Sequence, residues 1–200
     1  MPVTANIARG IAAATQRAAQ VLLCTAAIAA AAGCEPAATR APDVRFEPTP
    51  QHIVAEMLEL AQVGATDVVF DLGCGDGRIV VTAAKERGAR GVCVDIDPRR
   101  IRESRANAER SGVADRIVFL NQDLLETDLG DATVVTLFLS PAMNLRVRPK
   151  LWRELKRGTR VVSYVHDMGD WRPHEARNVE GNYGPRKLFL WRVDARSAPR

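Results

Sequence analysis

From Pro48 onward the chain alternates short apolar runs with amphipathic stretches. Ile53, Val54, Met57, Leu58 and Ala61 recur at helical spacing. Thr49-Pro50 reads as an N-cap followed by a first-turn proline, opening a helix that runs to about residue 63. Residues 67–72 form an apolar run stopped by glycines, the first strand. A helix over 76–87 turns Ile79, Val80, Ala83 and Ala84 inward, and 91–96 is the second strand. Asp97-Pro98 caps a helix to about residue 111, and 116–121 is strand three. Strand four, 133–139, is stopped by Pro141. A helix over about 144–157, a fifth strand at 160–165 and a hairpin near 176–179 and 187–193 complete the pattern. Parallel strands buried on both faces are apolar throughout, as these are, so the expected fold is α/β with three layers.

The first 34 residues break this pattern. They hold Arg9 and Arg17 and no acid, and residues 18–34 carry no charge. Seventeen mostly alanine residues are short for a membrane span and suit an export signal: a basic start, an apolar stretch, then small residues. Ala31-Ala32-Gly33-Cys34 resembles a bacterial lipobox, with Ala31 where Leu is usual. The expected organisation is a signal or lipoprotein-like segment at 1–34, a Pro/Ala linker at 35–47 and one domain at 48–200. That makes the protein membrane-associated or periplasmic; a cytoplasmic or mitochondrial location is the alternative, the latter because the segment is basic and acid-free.

Charge follows the same division. The chain of 200 residues has 28 Lys+Arg against 24 Asp+Glu, a net charge of +4. Removing the two N-terminal arginines leaves 26 against 24, so the domain is nearly neutral. Its overall basicity is therefore weak evidence for nucleic acid. With 46% apolar residues the chain can bury a core, and four Cys are too few for a disulfide scaffold. Cys74 and Cys93 read as small core residues rather than a redox pair. Three widely spaced His with no paired Cys argue against a metal site.

The chemistry gathers at the carboxyl ends of the first three strands, where open α/β sheets bind ligands. The first strand runs into Asp71-Leu72-Gly73-Cys74-Gly75-Asp76-Gly77-Arg78. Alternate glycines let the backbone turn sharply and approach a ligand. A pyrophosphate would be repelled by Asp71 and Asp76, whereas an ammonium or sulfonium would be welcomed. That favours S-adenosylmethionine over NAD. Asp95, closing strand two, is placed to accept ribose hydroxyls, and Asp123, after strand three, the exocyclic amine of adenine. The bland alternatives are that Asp76 and Asp97 cap helices and Asp123 serves a turn.

These residues carry a resemblance. With Pro48-Thr49-Pro50, Val94-Asp95-Ile96-Asp97-Pro98, residues 132–139, Arg148-Pro149-Lys150-Leu151, residues 158–163 and Asp167-Met168-Gly169-Asp170-Trp171, the chain from about 48 to 193 resembles a class I S-adenosylmethionine-dependent methyltransferase. Within that class it is similar to the small protein-lysine methyltransferases of the ATP synthase c-subunit and adenine nucleotide translocase type and their bacterial relatives. The resemblance implies a Rossmann-like fold with a mostly parallel seven-stranded sheet and an antiparallel C-terminal hairpin. It also implies methyl transfer to an amino group, most simply a protein lysine, in a substrate that could be a membrane protein. Two positions depart from the pattern: Phe46-Glu47 stands where an aromatic-Val pair is usual, and Cys74 where Ser is common.

The expected cofactor-binding residues are Asp71, Gly73, Cys74, Gly75, Gly77, Asp95, Ile96, Asp123 and Leu124. Methyl transfer needs alignment, water exclusion and an uncharged nucleophile. Candidates for that pocket are Thr136, Ser140, Pro141 and Asn144 after strand four, with His166 and Asp167 after strand five; the plainer roles are that Pro141 ends a strand and Asn144 caps a helix. Strand four ends in Leu-Ser-Pro rather than the Asn/Asp-Pro-Pro-aromatic run of base methyltransferases, which makes nucleic acid an unlikely substrate. The basic stretch 146–160 reads as a solvated helix face, and a monomer is expected. The rival readings are a small-molecule or RNA methyltransferase on the same fold, and an exported, tethered binding protein without turnover.

Overall fold

The computed structural model describes residues 46–194. The export-type segment and nearly all of the linker lie outside the described residues. The elements are α1 (Gln51–Leu60), β1 (Val68–Leu72), α2 (Arg78–Arg87), β2 (Arg90–Asp95), α3 (Pro98–Arg110), a short 3-10 turn, β3 (Ile117–Asn121), β4 (Val134–Leu137), α4 (Pro141–Glu154), β5 (Arg160–Tyr164), β6 (Glu175–Gly181) and β7 (Gly184–Arg192).

The seven strands form one sheet in the order β3-β2-β1-β4-β5-β7-β6. The first five run parallel, and β7 is antiparallel to both β5 and β6. After β3 the chain crosses to the other side of β1 to make β4. The order therefore reverses between β1 and β4, which opens a crevice at their carboxyl ends. The Rossmann-like architecture expected from the sequence is the one observed.

Side chains alternate across each strand, and that decides which core each residue joins. Phe70, Leu72, Val135 and Leu137 face α4, where Met143, Val147 and Leu151 cover them with Trp171 and Trp191. Val69, Val134 and Val162 face the other way, onto Ile53, Val54, Met57 and Leu58 of α1. Asp71 and Thr136 share that second face and stand in register on neighbouring strands. They are thus a polar pair set into an otherwise apolar layer, and polar groups in such a place must satisfy each other.

Three helix starts differ from the sequence expectation. Helix α2 begins at Arg78 rather than at residue 76, with Gly77 and not Asp76 at its cap position. Pro50, not Thr49, occupies the cap position of α1, and no side chain caps it. Thr49 is buried, and its carbonyl accepts from Arg78 Nη1 at 2.7 Å. Helix α4 begins one turn earlier than its apolar spacing suggested. Ser140 is the cap, accepting from Met143 N, and Pro141 fills the first turn, where its missing N–H costs nothing. Asn144 is therefore inside the helix. Asp97 caps α3 as expected, accepting from Arg99 N at 2.8 Å.

Candidate active site

The glycine turn between β1 and α2 holds Gly73, Gly75 and Gly77, all at positive φ. At Gly75 a Cβ would run into the ring of Phe46, and at Gly77 it would lie 2.7 Å from Ser104 Cβ. The turn is thus packed on both sides as well as sharply bent, and neither position has room for a side chain.

Three carboxylates stand at this turn, each with different partners. Asp71 is buried and accepts from Thr136 Oγ1 at 2.8 Å. Burial pushes its carboxyl up to about 7; the Thr136 hydrogen bond opposes this, while the charges of Asp76 and Asp95 add to it. Asp95 accepts from Gly75 N through Oδ2 and from Asp97 N through Oδ1, both at 2.9 Å. Burial raises its pKa as well, against those two amides. Each Asp95 oxygen keeps a lone pair for another donor. Asp76, expected to face a cationic ligand, is instead gripped by Arg78 through Nε and Nη2. Its charge is largely spent inside the protein, and it also accepts from the first backbone N–H of α2.

Two cavities open on these residues. The larger, about 140 Å³, is lined by Asp95, Ile96, Gln122, Asp123 and Leu124 on one side and by Phe138, Leu139 and Met143 on the other. The smaller, about 30 Å³, is lined by Asp71, Cys74, Asp76, Arg78 and Ile79. Phe46, Glu47, Gly73 and Phe138 line both, so these four residues surround the place where the cavities meet.

The residues singled out from sequence fall into two groups. Asp71, Gly73, Cys74, Asp95, Ile96, Asp123 and Leu124 line one or other cavity. Asp123 also serves a turn, accepting from Leu125 N at 2.8 Å. Gly75 and Gly77 line neither; they shape the turn. Thr136, Ser140, Asn144 and His166 also line neither cavity. Thr136 holds Asp71, and Ser140 caps α4. The Asn144 amide donates to Ser163 Oγ and to the carbonyls of His166 and Asp167, which fastens the loop after β5. Burial depresses the His166 pKa, with Asp167 opposing. Phe46, Phe138, Leu139 and Met143 were missed as site residues. For Phe46 a signal existed: one aromatic residue in a Pro/Ala linker, directly before Pro-Thr-Pro.

Cys74 and Cys93 require a correction. Both are buried core residues, as expected, but they are joined in a disulfide, with Cα atoms 5.3 Å apart. Asp71 pairs with Cys93 across β1 and β2, and the chain turns back at Gly73, which brings Cys74 over its partner. Alternation along separate strands could not reveal that approach.

The sequence profile of the ANTKMT methyltransferase domain matches residues 71–175, which span the glycine turn and all of β2–β5. The chain belongs to the ANTKMT methyltransferase family. It is similar to the protein-lysine N-methyltransferase of Saccharolobus islandicus, with 44% identity over 151 residues, 75% of this chain and 94% of that one. A solved structure of an RNA methyltransferase from Salinibacter ruber in complex with S-adenosyl-L-homocysteine superposes with a TM-score of 0.73. It is 46% identical and covers 77% of this chain and 97% of that one. The ribosomal protein L11 methyltransferase of Shigella sonnei is 39% identical over 79 residues, 39% of this chain and 27% of that one. In the ANTKMT frame the matched residues begin at Asp71, the buried carboxylate of the glycine turn.

Proposed function

We propose that the chain transfers a methyl group from S-adenosylmethionine to an amino group of a protein, a lysine side chain. One observation carries the cofactor part: carboxylates at the ends of β1, β2 and β3 line two joined cavities beside a glycine turn with no room for side chains. The residues suit that cofactor. Asp95 and Asp123 would take the ribose hydroxyls and the adenine amine in the larger cavity. Gly73, Cys74 and the Asp71 carboxylate would take the amino-acid end in the smaller one. S-adenosylmethionine supplies a methyl group on a positively charged sulfur. Asp71, held near neutrality by burial, gives up its proton more readily once a cation lies beside it. Phe46, Phe138, Leu139 and Met143 form an apolar wall that excludes water from the acceptor side.

The Saccharolobus relative supports a protein lysine as acceptor, and the name of the Salinibacter structure supports RNA as a second reading. Incubating the full-length chain with methyl-labelled cofactor and cell extract separates them. We expect label that survives nuclease, is lost to protease and appears as methyl-lysine on hydrolysis. Label removed by nuclease alone would establish the second reading.

The export-type N-terminus supports a membrane-tethered or periplasmic site of action, and the Cys74–Cys93 disulfide suits an oxidising compartment. Among the described residues no helix is long and apolar enough to cross a membrane. A tether would therefore come from the N-terminal segment. Cell fractionation with mass spectrometry of Cys34 tests this: an acylated Cys34 in the membrane fraction is expected, and a soluble full-length chain with free Cys34 would refute it.

A further inference from the structure

The four residues common to both cavities are Phe46, Glu47, Gly73 and Phe138, and Glu47 is the one ionisable group among them. A ligand with adenosine in the larger cavity and an amino acid in the smaller has its sulfur between the two, beside these residues. The other carboxylates lining the cavities each hold a partner within the protein, and Asp71, Asp95 and Asp123 are assigned above to the cofactor. Asp71 accepts from Thr136, Asp76 from Arg78, Asp95 from two backbone amides, Asp97 from Arg99 N and Asp123 from Leu125 N. Glu47 is exposed, so an acceptor arriving from solvent reaches it.

Aromatic rings stand beside it, together with the Arg78 and Arg100 side chains that line the smaller and the larger cavity. The Phe138 and Tyr164 rings pack at 4.8 Å between centroids. Burial holds the Tyr164 phenol above its usual range, and the negative charge of Glu47 adds to that while Arg186 opposes it. Glu47 and Phe138 line both cavities together. Phe46, its neighbour in the chain, is fixed over Gly75 and under the Arg100 guanidinium, 4.5 Å from its ring centroid. That anchors the segment carrying Glu47 across the opening.

We propose that Glu47 receives the ammonium of the acceptor at the joint of the two cavities and makes the enzyme selective for a cationic amine over an uncharged nucleobase. This rests on the cofactor reading above. An ammonium drawn to the joint gains charge-assisted hydrogen bonds from the carboxylate, and the aromatic wall covers its carbon chain. An uncharged base gains neither.

The test uses ligands alone and needs no known substrate. Sinefungin resembles S-adenosylhomocysteine but carries a C–NH3+ group where the cofactor carries its methyl-bearing sulfur. Dissociation constants for both ligands are measured by calorimetry on the full-length wild type, Glu47→Gln and Glu47→Val, with thermal midpoints as a folding check. The wild type is expected to prefer sinefungin, and both variants to lose about fivefold of that preference while S-adenosylhomocysteine affinity stays constant. An unchanged preference overturns the proposal. Equal loss for both ligands overturns it too, because Glu47 would then be holding a part they share. A wild type that binds neither ligand overturns the cofactor reading, and this inference with it.

Discussion

Asp95 closes β2 and Asp123 stands in the turn just after β3, each held by backbone amides of neighbouring turns. At the joint of the cavities, Phe46 and Glu47 come from the segment before α1, while Phe138 comes from just after the end of β4. The first region follows from topology alone, since any ligand at the switch point meets the strand ends. The second is assembled from pieces 90 residues apart in sequence, held by packing. A glycine-rich turn can therefore announce the cofactor, whereas the acceptor's wall depends on contacts that no local pattern encodes.

The largest expected effect tests the first region. Asp95→Ala removes a carboxylate that would take two hydroxyls and frees two amides; S-adenosylhomocysteine affinity should fall on the order of 100-fold in calorimetry. Loss of less than threefold would move the cofactor elsewhere. Next comes the brace beneath the turn. A disulfide closing a loop of sequence separation 19 should contribute about 3 kcal/mol. The Cys74→Ser/Cys93→Ser double variant should therefore show a lower urea midpoint than the oxidised wild type. Equal midpoints would mean that the two thiols are not joined in the folded protein.

Asp71 gives a pH signature. Its folded pKa of about 7 lies above the ordinary aspartate value of 3.8. The stability linked to this group is fully present below 3.8 and is lost as pH rises to 7. Asp71→Asn keeps a hydrogen-bonding partner for Thr136 without the charge. Relative to wild type it should gain on the order of 4 kcal/mol between pH 4 and pH 8 in urea unfolding. A pH-independent difference would show that Asp71 titrates normally. The smallest effect distinguishes the regions directly. Asn144→Ala should cost about 1–2 kcal/mol of stability by loosening the loop after β5, with S-adenosylhomocysteine affinity unchanged. A stable variant with altered affinity would return Asn144 to the binding pocket.

Much of the frame was legible in the sequence. Apolar runs located β1–β5, the closing hairpin was expected near the places of β6 and β7, and Asp97-Pro98 marked its helix start because cap and proline act locally. Ser140-Pro141 is the same device, yet helical spacing from Asn144 obscured it. Thr136 and Asn144 were polar residues near the expected pocket, and their distance from it is set by strand pleat and helix phase. One residue's rotation turned Thr136 toward Asp71 instead of the cleft. The disulfide and the Phe46–Gly75 contact were illegible for a common reason: each joins segments whose separation in space is decided only after the sheet assembles.

The central claim is that this fold holds S-adenosylmethionine at the ends of β1, β2 and β3. Calorimetric titration of the full-length chain with S-adenosylmethionine, S-adenosylhomocysteine and NAD tests it most directly. The account predicts a single site for the first two, strongly weakened by Asp95→Ala, and no competition from NAD. Absence of binding by either adenosyl ligand, or tighter binding of NAD, would contradict it.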